Sequence, residues 1–194
     1  MTAPKLAFFA GSTRQASFNR KLARAACDLA RGLGYSADLI ELADYPMPLY
    51  NGDLEVQEGP PENARKLRGA LRGHQGIFIA SPEYNASVTP LLKNTLDWMS
   101  RVRDDEEPGL ALFRNRVFAI SGASAGRFGA MRSLLALRQV LEIGIGAMVL
   151  PDQVALSGAD KAFDDAGAIL DATPRELLAG VVGKLGQAAQ RLAQ

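Results

Sequence analysis

Residues 5–20 read KLAFFAGSTRQASFNR: an apolar run gives way at Gly11 to small and polar residues with one arginine, and a helical pattern follows. A strand that feeds a helix through such a turn points several backbone N–H groups and the open end of the helix at one spot, which is where an anion binds. Ser12, Thr13 and Ser17 add hydroxyls, Arg14 a two-pronged cation and Asn19 an amide, a donor set suited to the three oxygens of a terminal phosphate. The loop is about eight residues long where two to six are usual between strand and helix, a length that points to function. It lacks both GxxxxGK[ST] and GxGxxG, so a nucleoside triphosphate or dinucleotide is disfavoured as the tightly held ligand.

Working outward, further short apolar runs suited to buried parallel strands lie at 36–41, 76–80 (GIFIA), 117–121 (VFAIS) and 147–150 (AMVL). Helical patterns separate them. The first has Ser17 as its cap, Leu22, Ala25, Ala26, Leu29 and Leu33 on one face, and Gly34 as its stop. A weaker one spans 61–73, and a third opens on Thr89 followed by Pro90. A fourth covers about 129–144 and is apolar on more than one face, a surplus that suits a subunit interface. The last opens on the capping box Thr173-Pro174-Arg175-Glu176. Five strands alternating with five helices specify an α/β chain with an open parallel sheet covered on both faces, and this strand count favours the flavodoxin-like order 2-1-3-4-5. We expect one domain over 1–194.

In that order the ligand crevice lies beyond the carboxyl ends of strands 1, 3 and 4. The loops there are GSTRQASFN (11–19), SPEYNASVTP (81–90) and SGASAGRFG (121–129), the segments of this chain richest in glycine and polar groups. The second offers a proline-stiffened turn with Tyr84 beside it, able to read the edge of a planar heterocycle; the third has small residues that let backbone approach a flat ring closely. Ordinary structural turns remain the alternative for each.

Composition narrows the partners. Lys and Arg number 22 against 21 Asp and Glu, so no bulk attraction to nucleic acid or an anionic membrane is encoded. The one cysteine, Cys27, excludes an internal disulfide and suits a reducing compartment. Residues 1–10 carry no signal-peptide pattern and no apolar stretch approaches about 18 residues, so the chain reads as cytoplasmic. The single histidine, His74, reads as a surface residue, the run RDDEEP (103–108) as a solvated loop, and Lys93 with Asp97 as an exposed ion pair on the third helix.

The segments GSTRQASFNRKLA (11–23), DYPMPLYNGDLE (44–55) and SPEYNASVTPLLKNTLDWMSR (81–101), taken together, resemble the NADPH-dependent FMN reductase family, whose bacterial members include quinone and chromate reductases. The resemblance extends over essentially the whole chain and implies a flavodoxin-like fold, non-covalent FMN, NADPH or NADH as co-substrate, and a homodimer or homotetramer. It implies that Ser12, Arg14, Ser17, Phe18 and Asn19 hold the FMN phosphate, that Pro82, Glu83, Tyr84 and Asn85 line the isoalloxazine, and that Ser121 touches the flavin. Tyr50 would shape the acceptor pocket of a neighbouring subunit. The implied reaction is hydride transfer from NAD(P)H to flavin N5 and then two-electron reduction of a quinone or similar acceptor, in ping-pong order, with no side chain acting as acid or base. A flavodoxin-type electron carrier is the alternative, although such carriers are strongly acidic and this chain is formally +1. A phosphoacceptor signalling domain of this topology needs an aspartate after strand 3, where this chain has Ser81-Pro82.

Overall fold

The computed structural model describes residues 4–103 and 109–192. Its sheet has the order β2-β1-β3-β4-β5, built from β1 (Lys5–Ala10), β2 (Ser36–Ile40), β3 (Gly76–Ala80), β4 (Val117–Ala123) and β5 (Met148–Val149), every pairing parallel. A sixth strand that the sequence pattern did not reveal, β6 (Ala155–Leu156), pairs with the far end of β4 through Gly122 and Ala123. Strand β4 is therefore shared, its first half held by β5 and its last by β6. Two-residue strands leave too little alternation for a period-2 signal.

Both faces of the sheet are covered, which is why β1, β3 and β4 read as continuous apolar runs. Leu6, Phe8 and Phe78 pack beneath α1 (Phe18–Gly32) and α7 (Ala172–Leu192); Ala7, Phe9, Ile77 and Ile79 face the opposite way. That second layer is made of α3 (Glu62–Arg72), α4 (Pro90–Arg101), the single turn α5 (Ala111–Arg114) and α6 (Met131–Arg138). The helix α2 (Gly52–Glu58), capped by the Asn51 side chain on the Asp53 N–H, was not foreseen and has no buried residue.

Two further readings are corrected at the helices. The fourth helix does not stay α-helical: after Arg138 it widens into a π-helix over Gln139–Ile145, and its outward side leaves Leu135 60% and Ile143 81% exposed. At the start of α7 the cap is Asp171, whose carboxylate accepts from the Thr173 N–H at 2.9 Å, and Thr173 already lies inside the helix. The acidic run lies, from residue 104 to 108, outside the described residues. Lys93 and Asp97 do pair, at 2.7 Å.

His74 is buried, 3% exposed, not a surface residue. Only Gly73, His74 and Gln75 separate α3 from β3, and this short connection tucks the ring against β2, where Nε2 lies 3.1 Å from Asp38 Oδ2. The Lys5 ammonium, 2.7 Å from the same oxygen, holds the Asp38 carboxyl below its usual range, while burial depresses His74. A histidine kept neutral by folding binds fewer protons than the unfolded chain just below about pH 6.5. Stability should therefore fall as pH drops through that region. Denaturant midpoints measured at pH 7, 6 and 5 check this, and His74→Gln should flatten the profile.

Candidate cofactor site

The three polar loops meet at the carboxyl edge of the sheet, and hydrogen bonds fasten each to the next. Loop 1 (11–17) leaves β1 at Gly11, whose N–H donates to Ala80 at 2.9 Å. A Cβ on Gly11 would sit 2.9 Å from that of Leu92, so only glycine allows α4 to lie this close. The Thr89 hydroxyl donates to the Gly11 carbonyl at 2.7 Å and accepts from the Leu92 N–H at 3.2 Å, tying the start of α4 to loop 1 while capping it.

Asn19 makes the longest-range tie. Its side-chain amide donates to the Ala123 carbonyl at 2.8 Å and its carbonyl accepts from the Ala123 N–H at 2.9 Å, joining α1 to β4 across 104 residues. The amide expected to face a phosphate is thus committed to the scaffold, and only the backbone N–H of Asn19 remains open. Among the described residues neither the Phe18 nor the Asn19 N–H has an acceptor, and no acidic residue stands in the first turn of α1. The Ser17 hydroxyl caps Arg20 at 3.4 Å. Arg14 is exposed, makes no ion pair among the described residues, and rests with its guanidinium carbon 5.7 Å from the centre of the Phe18 ring. Ser12 accepts from the Arg14 N–H at 3.3 Å.

Loop 2 (81–89) is anchored beneath and wound tightly at its tip. Ser133 donates to the Pro82 carbonyl at 2.8 Å, and its oxygen lies 2.8 Å from that of Ser81. At the tip, Tyr84 and Ser87 exchange two backbone hydrogen bonds around Asn85 (φ 49°) and Ala86 (φ 64°), a type I′ turn in which both central residues are left-handed. Tyr84 is left 54% exposed at this tip. Glu83 turns away from the tip. Its carboxylate accepts from the Arg132 and Ser133 N–H groups at 3.1 and 3.2 Å and pairs with the Arg132 guanidinium, completing the N-terminus of α6, where Ala130 supplies no side-chain cap. From sequence Glu83 was read as lining a ring; 49 residues separate it from its partner, beyond the reach of any local signal.

Loop 3 (122–130) runs over β6. Ser121 is wholly buried and its hydroxyl accepts from the Val154 N–H at 3.1 Å, so its side chain serves the sheet. A Cβ on Gly122 would strike the Ser81 carbonyl at 2.8 Å, which sets how closely loops 2 and 3 approach. Further along, Arg127, Phe128 and Arg132 form an exposed cluster that the sequence reading passed over, because each is unremarkable alone. Tyr50 packs on α4: its N–H donates to Asn94 Oδ1 at 2.7 Å, its ring meets Trp98 edge-on at 4.9 Å, and its hydroxyl donates to Glu55, which two bonds from Arg101 hold below the usual carboxylate range.

Open backbone donors, an unpaired guanidinium and hydroxyls in loop 1 suit a phosphate monoester; the adjoining loops, closely approached and rich in small residues, suit a flat ring system. Such a crevice on a sheet of order 2-1-3-4-5 defines a flavodoxin-like protein. A solved structure of the same fold, the flavoenzyme NAD(P)H:(acceptor) oxidoreductase FerB from Paracoccus denitrificans, superposes with a TM-score of 0.79 at 24% identity, covering 97% of this chain and 98% of that one. The chain belongs to the NADPH-dependent FMN reductase family, whose model matches residues 4–161. It is 39% identical over 175 residues to an NAD(P)H-dependent FMN reductase of Pseudomonas aeruginosa, covering 90% of this chain and 89% of that protein. It is also 32% identical over 184 residues to a quinone reductase of Escherichia coli, covering 94% and 93% of the two chains. In this family FMN is the cofactor and NAD(P)H the reductant.

Removing the Asn19 tie tests how the site is held. Asn19→Ala leaves the N–H and carbonyl of Ala123 buried without partners, at a cost of about 1–3 kcal/mol for each group. Thermal unfolding should register the loss.

Proposed function

We propose that this chain is one FMN-binding domain over 1–194 that oxidises NAD(P)H and reduces a quinone or similar small acceptor, with the two substrates using the same face in turn. The observation that carries the reading is the open N-terminus of α1, with two unsatisfied backbone donors, no acid in its first turn and Arg14 beside it. Bound in the crevice, FMN would supply the two-electron redox chemistry between nucleotide and acceptor.

The protein's task is then binding and placement. Arg14 would hold the phosphate with the Ser12 and Ser17 hydroxyls and the N–H groups of Phe18 and Asn19. Pro82, Glu83, Tyr84 and Asn85 would line the ring, Glu83 through its backbone because its carboxylate is taken by α6, and Ser121 would support the wall from within. His74 is on the opposite edge of the sheet, between β2 and the start of β3, so no proton relay through it enters this scheme. The relatives named quinone reductase support a quinone-like acceptor. The setting we propose is the cytoplasm, where NAD(P)H is available.

We also propose that copies of the chain associate into a homodimer or homotetramer. Support comes from the outward side of α6 and the π-helix, where the large apolar side chains of Leu135 and Ile143 stand exposed. In such an assembly Tyr50 would border the neighbouring subunit's acceptor pocket.

The visible spectrum tests the chemistry. After incubation with FMN and desalting, a retained flavin band should bleach with NADPH under nitrogen and return on adding benzoquinone; a retained band inert to both nicotinamide nucleotides would instead indicate an electron carrier. Arg14→Ala should weaken FMN binding about tenfold to a hundredfold in a fluorescence titration, the worth of one charge-assisted hydrogen bond. For the assembly, Leu135→Glu should lower the mass seen by light scattering.

A further inference from the structure

A nucleotide that lays its nicotinamide in the crevice carries its adenosine half out over one of the three loop rims. The rims differ in charge. On loop 1, Arg14 stands at the α1 N-terminus, where the FMN phosphate is placed above. Loop 2 offers Tyr84 and no cation, and the guanidinium of Arg132 behind it is neutralised by Glu83, its Nε 2.7 Å from the carboxylate. Loop 3 carries Arg127, exposed and without an ion pair among the described residues.

Beside Arg127 is an aromatic surface. Phe128 is 54% exposed, and the guanidinium carbons of Arg127 and Arg132 lie 5.5 and 5.1 Å from its ring centre. The backbone presenting the pair is fixed. Gly129 and Ala130 are both left-handed (φ 56° and 71°), Met131 N–H donates to the Phe128 carbonyl at 2.9 Å, and Gly129 N–H donates to Gly126 at 3.2 Å. A Cβ on Gly129 would lie 2.5 Å from the Ala155 carbonyl, so the loop is pressed onto β6 at the residue after Phe128. An unpaired guanidinium beside a half-exposed ring, held on a stiff turn at the mouth of the crevice, matches the chemistry of a phosphorylated adenosine: a dianion next to a flat base.

We propose that Arg127 binds the 2′-phosphate of NADPH, with the adenine against Phe128, and that this contact makes the chain prefer NADPH to NADH. The inference rests on the functional reading above and adds the residue that separates the two nucleotides. Arg127 takes the added phosphate and so acts on one nucleotide only; Phe128 meets a base common to both and acts on both alike. A lysine would keep the charge but lose the paired donors.

Two measurements on the FMN-loaded protein decide it. The first is the ratio of kcat/KM for NADPH to that for NADH. The second, which needs no turnover, compares calorimetric affinities for adenosine 2′,5′-bisphosphate and 5′-AMP, which differ only in the 2′-phosphate. In the unaltered protein both should favour the 2′-phosphate. Arg127→Ala should reduce each preference about tenfold to a hundredfold, the range of a charge-assisted hydrogen bond. Arg127→Lys should fall between, and Phe128→Ala should weaken both nucleotides by similar factors. An unaltered protein without preference, or an Arg127→Ala preference within about twofold of the original, overturns the proposal. Should neither nicotinamide bleach the flavin, the proposed function fails, and the calorimetric comparison still decides the role of Arg127.

Discussion

The pair of hydrogen bonds between the Asn19 side chain and the backbone of Ala123 holds the crevice in shape. Strands β1 and β4 are not neighbours, since β3 lies between them, so nothing in the sheet itself fixes the start of α1 against the end of β4. One buried amide does so by satisfying both polar groups of a single residue. With that tie in place, the open end of α1 and the small residues of loop 3 face the same space. Removing it would leave two loops each well made and poorly related. The other ties extend the same scheme: Thr89 links loop 1 to α4, and Glu83 and Ser133 link loop 2 to α6.

A division of labour follows among the polar residues of the crevice. Those that are buried, Asn19, Ser81, Thr89, Ser121 and Ser133, satisfy the scaffold. Those left exposed, Arg14, Tyr84 and Arg127, stand at the rim with uncommitted surface. A buried polar group without a partner is costly, so the groups that the scaffold leaves unpaired collect where water can solvate them.

Much of this was legible in the sequence. The apolar runs at β1, β3 and β4, the Ser17 and Thr89 caps and the loop compositions carry their meaning locally, and they were enough for the sheet order and for the three loops that meet at its carboxyl edge. What stayed hidden is encoded at long range. Nothing near Glu83 announces that its carboxylate caps a helix some fifty residues on, and nothing near Asn19 points to Ala123. Composition says equally little about His74, whose burial is set by β2 lying alongside. The π-helix keeps the apolar content of an α-helix while shifting its hydrogen bonds, so periodicity read it as one continuous element.

The tip of loop 2 has a consequence for how a ligand is received. Alanine at a left-handed position is less comfortable than glycine would be, by roughly 1 kcal/mol, and the turn around Asn85 and Ala86 holds it there regardless. A glycine would relax the turn and also widen the range of shapes open to it. With alanine, the choice among shapes is made when the chain folds, and that disorder does not have to be lost again when a ring arrives. A ring bound as proposed would thus meet this loop as a finished surface, and the entropy of ordering it belongs to folding instead of binding.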